Sequence, residues 1–162
     1  MNYVLRNRFI LLCLIFVLSS PGFASAPGLP EVEGFTAGEL KTTPLEAPAG
    51  EYGEWLTRVY KDGRGRAVKA TLMAGPGAGS LRTPPQGTRS DDRPIGFGSI
   101  YEGLTVGGRP ALLEEVPSLG LALAVDLGED TTLTLESSSL NRQELMAMAA
   151  AMISPSSPPE VK

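Results

Sequence analysis

Leu119-Gly120-Leu121-Ala122-Leu123-Ala124-Val125, then Thr131-Thr132-Leu133-Thr134-Leu135-Glu136-Ser137, then Leu140-Asn141-Arg142-Gln143-Glu144-Leu145: these three runs decide the fold class. In the first, large residues hold the odd positions and Gly or Ala the even ones, a period of two that makes a strand with one bulky and one nearly flat face. A flat face lets another backbone approach closely, or leaves an apolar surface to be covered. The second run alternates Leu133 and Leu135 with Thr132, Thr134 and Glu136. The third is the start of a helix: Asn141 caps it, Glu144 completes a capping box, and Leu140 with Leu145 forms a hydrophobic staple. Leu145, Met148, Ala149, Met152 and Ile153 then share one face at helical spacing, and Pro155 stops the helix. Methionines at this spacing fill core gaps more often than they line a groove.

Working upstream, Ile100, Leu104 and Val106 lead to Gly107-Gly108, a hairpin signal, and Ala111-Leu112-Leu113 returns toward Pro117-Ser118. Glu54 to Tyr60 is rich in strand formers, Val68, Ala70 and Leu72 alternate with polar or small residues, and Asp62-Gly63 between them is a tight-turn dipeptide. Residues 54–73 therefore read as one hairpin. The intervening stretch, Ala74 to Gly98, has six glycines and four prolines in 25 residues, a composition that favours disorder over a functional loop. Before Gly50 lie Pro27, Pro30, Pro44 and Pro48, and only Leu40 to Leu45 has strand character, so residues 27–50 read as an extended arm that lies on the domain or stays loose. The expected fold is α+β: an antiparallel sheet of six to seven strands with a C-terminal amphipathic helix packed on one face. The domain would span 51–153, and residues 154–162, with Pro158-Pro159, would form a disordered tail.

The first 26 residues have the three parts of a secretory signal: Arg6 and Arg8, the apolar run Phe9 to Leu18, and a small, polar close at Ala24-Ser25-Ala26. Cleavage after Ala24 or after Ala26 fits. Ten apolar residues fall well short of the roughly 20 needed to span a bilayer, so no membrane span is expected after cleavage. Cys13 lies inside the apolar run, not after it, which argues against a lipid anchor. Removing the signal removes the only cysteine, and with it any disulfide. About 136 of the 162 residues would remain, suited to one domain. Losing Arg6 and Arg8 takes the 14 basic residues to 12 against 18 acidic ones, a net charge of about −6. That balance disfavours nucleic acid and anionic lipid as partners.

Chemistry is thinly represented. There is no histidine, and without His or Cys the usual triads and thiol chemistry fall away. Gly75-Pro76-Gly77-Ala78-Gly79-Ser80 looks like a phosphate loop but lacks the Gly-Lys-Ser/Thr ending. Asp91-Asp92 lacks the spaced oxygens of a calcium loop and is flanked by Arg89 and Arg93. Glu114 and Glu115 would point to opposite faces of a strand, although either could meet a carboxylate on a neighbouring strand. Trp55 and Tyr101 suit a binding site or a half-buried strand equally. The candidate contacts for a ligand or partner are Arg82, Arg89 and Arg93, which would converge if the Gly/Pro loop folds back. No catalytic, metal or cofactor site is expected.

Val106-Gly107-Gly108-Arg109-Pro110-Ala111, Leu121 to Val125, Thr131 to Ser137 and Leu140 to Ile153 together carry a resemblance over about a third of the chain. Their order is similar to that in the small exported domains of unknown function found in bacterial anti-sigma-factor regulators and envelope lipoproteins. Those share a strand, a Gly-x-Ala hairpin return, an apolar strand, a final strand ending in Ser, and a Leu-x-x-Glu-Leu helix. The resemblance implies an α+β domain with a non-enzymatic role at the cell envelope. The functional expectation is an exported envelope protein, periplasmic or extracellular, that binds a partner protein or a small apolar ligand. One alternative is an apolar-ligand or lipid carrier with residues 74–98 as lid. Another is a carboxylate-only hydrolase of envelope glycan, which needs two acids across a cleft.

Overall fold

A computed structural model describes Gly28 to Ser154 apart from residues 48 and 49. The expected signal segment and the C-terminal tail lie outside the described residues. Nine strands form one antiparallel sheet: β1 (Phe35–Ala37), β2 (Lys41–Ala47), β3 (Gly50–Asp62), β4 (Ala67–Ala74), β5 (Arg89–Asp91), β6 (Ile100–Val106), β7 (Arg109–Val116), β8 (Gly120–Gly128) and β9 (Thr131–Ser137). One helix, α1 (Arg142–Ile153), follows. The α+β class and the antiparallel sheet are as expected, but the strand count exceeds six to seven. The excess comes from β1 and β5, three residues each. Such short edge pieces are held by backbone pairing to a neighbour and carry no alternation to read.

Across the sheet the order is β1-β3-β4-β9-β8-β7-β6-β5, with β2 paired to β3. Both β1 and β2 lie along the 13-residue β3, meeting successive parts of it. β6 through β9 is a plain meander, and β4 pairs with β9, so β4 stands next to the last strand although the meander lies between them in sequence. The turns follow local chemistry. Gly107 and Gly108 take φ of 54° and 79° between Val106 and Arg109, the two-residue turn their sequence signals. The β3–β4 turn departs from the tight Asp62-Gly63 dipeptide: it runs to Arg66, and Gly65 (φ 80°) supplies the left-handed residue. Asp62 shapes this longer turn, its Oδ1 accepting from the backbone N–H of Arg64 and of Arg66, both at 2.9 Å.

The two sheet faces differ sharply. On the inner face Leu56, Tyr60, Val68, Leu72, Leu104, Ala111, Leu113, Leu123, Val125, Leu133 and Leu135 are buried. α1 lies over β6, β8 and β9, with Leu145, Met148, Ala149 and Met152 buried, so the odd-position residues Leu123 and Val125 do face the helix layer. Leu119 does not join them; it sits in the β7–β8 turn, 72% exposed. Burying a leucine such as Leu145 contributes about 1.5–3 kcal/mol.

The capping box is present, with Glu144 N donating to Asn141 Oδ1 and Asn141 N to the Glu144 carboxylate. Two ion pairs hold the first helical turn from opposite sides. Arg142 grips Glu102 on β6 with both guanidinium nitrogens, and Arg66 from the β3–β4 turn donates to Glu144 at 2.8 and 3.0 Å.

The rest of the inner face is covered by the N-terminal segment, the expected arm. Leu29 and Val32 enter the core. Tyr60 donates its hydroxyl to the Pro30 carbonyl at 2.8 Å, while Arg58 donates to the carbonyls of Leu29 and Gly38 and to Glu31. The core thus starts upstream of residue 51, because a sheet eight strands wide needs more cover than a 12-residue helix provides.

Candidate functional site

Among the described residues no helix covers the outer face, and the Gly/Pro-rich stretch crosses only one end of it. Antiparallel pairing places side chains from successive strands at one level, and here Val59, Lys69, Glu136, Ala122, Glu114, Tyr101 and Ser90 stand side by side on β3, β4, β9, β8, β7, β6 and β5. Ala122 is the low point, with a glutamate on either side. Two interstrand spacings put the Glu114 and Glu136 backbones about 10 Å apart. Above this row lies an open groove of about 480 Å³, with a floor of Ala67, Gly120 and Ala122 and apolar walls from Val59, Val116 and Leu119. Its charged lining is Lys69, Glu114 and Glu136.

Gly120 gives the groove its end. It has φ of 117°, and a Cβ there would collide with the Ser137 carbonyl oxygen, so the β8 and β9 backbones meet more closely than any side chain allows. The small even positions of β8 read from the sequence as a flat face are therefore the bottom of the groove.

Lys69 Nζ lies 2.8 Å from Glu136 Oε2, with both side chains about half exposed. Glu114 makes no ion pair among the described residues; its carboxylate, opposite Tyr101, pushes that phenol above the usual tyrosine range. The groove therefore has one balanced charge pair and one unbalanced negative charge between apolar walls. Such a surface can take an apolar group and a cation together.

The opposite end of the outer face is crossed by the Gly/Pro-rich stretch, whose composition favours disorder. In the structure it is a strap fastened at both ends. Gly75 N donates to the Asp130 carbonyl, Gly77 N to that of Tyr52, and Ser80 Oγ to the Asp130 carboxylate. At the far end Gly87 N and Gly103 N exchange bonds across to Gly103 and Thr88. Gly103 has no Cβ because the Pro84 and Pro85 carbonyl oxygens occupy that space, at 2.6 and 2.5 Å from where it would be.

The three arginines singled out in the sequence all belong to this strap and to β5. Arg93 pairs with Asp91 at 2.9 Å. Arg89 stands on β5 opposite Glu102, which is already held by Arg142, and Arg82 is exposed on the strap. Among the described residues no hydrogen bond joins any two of them to a shared partner. Asp92 uses its carboxylate locally, accepting from Phe97 N and Gly98 N at 3.0 and 2.7 Å. No cluster of potential metal-ligating side chains occurs among the described residues, and no helix among them is long and apolar enough to cross a membrane.

Glu114 and Glu115 do point to opposite faces, Glu114 opposite Ala122 and Glu115 opposite Leu121. Missing from the sequence reading was Glu136. Its alternation with Leu133 and Leu135 already placed it on the outer face, but only the β9–β8–β7 order brings it within reach of Glu114. Compared with protein-family models, curated proteins and solved structures, the chain finds no match in any of the three.

Proposed function

We propose that this chain is an exported, non-enzymatic binding domain of the bacterial cell envelope, and that it engages its partner through the outer face of the sheet. The observation that carries the reading is the asymmetry of the faces: one is sealed by α1 and the N-terminal segment, and the other keeps an apolar-walled groove open to solvent. Contiguous exposed apolar surface of this kind marks interaction sites. The signal-like first 26 residues support export, and the resemblance to envelope domains supports the setting.

The tight inner layer supports an interaction module over a lipid carrier. Leu145 and Ala149 on the helix, and Leu123, Val125 and Leu135 beneath, have no exposed surface, so helix and sheet are in direct contact there. The carboxylate pair Glu114 and Glu136 invites comparison with a glycan hydrolase. Such an enzyme needs one carboxyl kept protonated in a shielded cleft, whereas Glu136 is paired with Lys69 in an open groove.

Two measurements test the proposal. Fractionation with N-terminal sequencing of the recovered protein should find it outside the cytoplasm and cut after Ala24 or Ala26; an uncut cytoplasmic protein would refute export. A photo-crosslinking residue at Ala122 should yield a partner adduct in the expressing cells, while one at Ala147, on the exposed side of α1, should not. Adducts from position 147 alone would move the binding surface off the groove.

A further inference from the structure

The three most exposed large apolar side chains among the described residues lie at one end of the sheet. Ile95 is 97% exposed, Phe97 93% and Leu119 72%. The first two project from the β5–β6 loop and the third from the β7–β8 turn. These loops touch: a Cβ on Gly98 would lie 3.8 Å from the Pro117 ring.

Neither tip is loosely built. Asp92 takes three backbone N–H groups, those of Gly96 on its carbonyl and of Phe97 and Gly98 on its carboxylate. In the other turn Leu119 N donates to the Val116 carbonyl at 3.1 Å, with Ser118 in the left-handed region at φ 66°. The geometry therefore holds apolar side chains out in water, which costs hydration free energy unless something covers them. Leu119 and Val116 also line the groove. The β7–β8 tip and the groove are therefore continuous, and the β5–β6 tip adjoins that turn.

We infer that the β5–β6 tip, the β7–β8 tip and the groove form one docking surface for an extended protein segment that alternates apolar side chains with a lysine or arginine. This rests on the reading of the outer face as the binding surface, and it names the class of partner. The apolar side chains would cover Phe97, Ile95 and Leu119, and the cation would meet Glu114, the groove's unbalanced charge.

Charge decides among the occupants. The chain carries 18 acidic against 14 basic residues, so a second copy would bring the same sign and be repelled, while a cationic segment is attracted. An anionic bilayer is disfavoured for the same reason. Asp91, Asp92 and Glu115 stand around the tips, and Arg93 is paired to Asp91. An alternating segment suits the floor, since the small side chain of Ala122 leaves room for a backbone to lie close.

The test uses the isolated protein and three short peptides: one alternating Leu with Lys, one alternating Leu with Glu, and one alternating Ser with Lys. Fluorescence anisotropy measures binding, and amide NMR shifts locate it. Only the Leu/Lys peptide should bind appreciably, shifting residues 95–97, 114, 119 and 122. Phe97→Ser with Leu119→Ser should weaken binding by about tenfold or more, as loss of apolar anchors does. Glu114→Gln should weaken it about three- to tenfold at low salt, with a smaller salt dependence. Both variants alter exposed or half-exposed side chains, and unchanged melting temperatures confirm that they fold.

Equal binding of the Leu/Glu peptide at the same residues would overturn the partner class while leaving the outer face as a binding surface. Absence of shifts with every peptide would overturn the docking surface, and the crosslink from Ala122 then judges the broader reading alone. Binding to phosphatidylethanolamine/phosphatidylglycerol vesicles, lost in the Phe97→Ser variant and without peptide binding, would overturn the inference in favour of a membrane.

Discussion

At the scale of single residues, glycines and acids set the structure where periodicity is silent. Gly120 reads in the sequence as one more small residue in an alternating strand. In the fold it is the point where β8 touches β9, with positive φ and no room for a Cβ. Gly108 has positive φ too (79°), but open space around it. Gly108→Ala should therefore cost about 1 kcal/mol of backbone strain, and Gly120→Ala about 2–4 kcal/mol, since the strands must also separate. Denaturant midpoints of the two variants check this; equal losses would mean that the close approach is absent. The local sequence marks Gly108 as a turn glycine but does not reveal the constraint at Gly120, because the clash there is with a carbonyl of another strand.

The acids also set a pH dependence. Glu102 is held below the usual glutamate range by the Arg142 guanidinium, and Glu144 by the Asn141 N–H and then by Arg66. A depressed folded-state pKa contributes stability that is present above the unfolded value of about 4.3. It is lost as pH falls through the folded value. Melting temperature should thus hold between pH 7 and 5 and fall below about pH 4, and the fall should be shallower in a Glu102→Gln, Glu144→Gln double variant. A variant curve parallel to the parent in acid would show that the two pairs are not linked to folding.

At the scale of elements, α1 is the part most legible in the sequence. Its cap, its capping box and its buried face are all local patterns, and the structure reproduces each of them. Asn141→Ala should cost about 1 kcal/mol. Leu145→Asp should unfold the domain, because it places a carboxylate against Leu123, Val125 and Leu135 with no cation to meet it; an unchanged melting temperature would refute the packing. Less legible were β1 and β5, whose three residues each are too few for alternation to show. The same holds for the two clamps on the helix. Arg66–Glu144 and Arg142–Glu102 join residues 78 and 40 positions apart, a separation that only tertiary structure reveals.

At the scale of the whole molecule, strand order makes the candidate site. The sequence shows Ala122 as small, Lys69 as polar and Glu114 and Glu115 on opposite faces, yet the meeting of Ala122, Lys69 and Glu114 depends on β4 closing onto β9. The strap from Ala74 to Gly98 makes that order possible, carrying the chain from β4 to the far edge at β5 so that the meander can return. Its Gly and Pro composition reads as irregular, and irregular it is. What composition does not show are the partners that fasten it, Asp130 and Gly103. The arginines within the strap were sought as a site because charge in a loop is conspicuous in a sequence, whereas a groove built from alanine and glycine is not.

The central claim is that one face of this sheet is sealed and the other is open. It is tested most directly by thiol labelling of two neighbouring positions, Ala122→Cys and Leu123→Cys, each in a Cys13→Ser background. Ala122→Cys should react in the native protein, and Leu123→Cys only at the rate at which the domain unfolds. Comparable labelling of the two, or protection of position 122 in the isolated protein, would contradict the account.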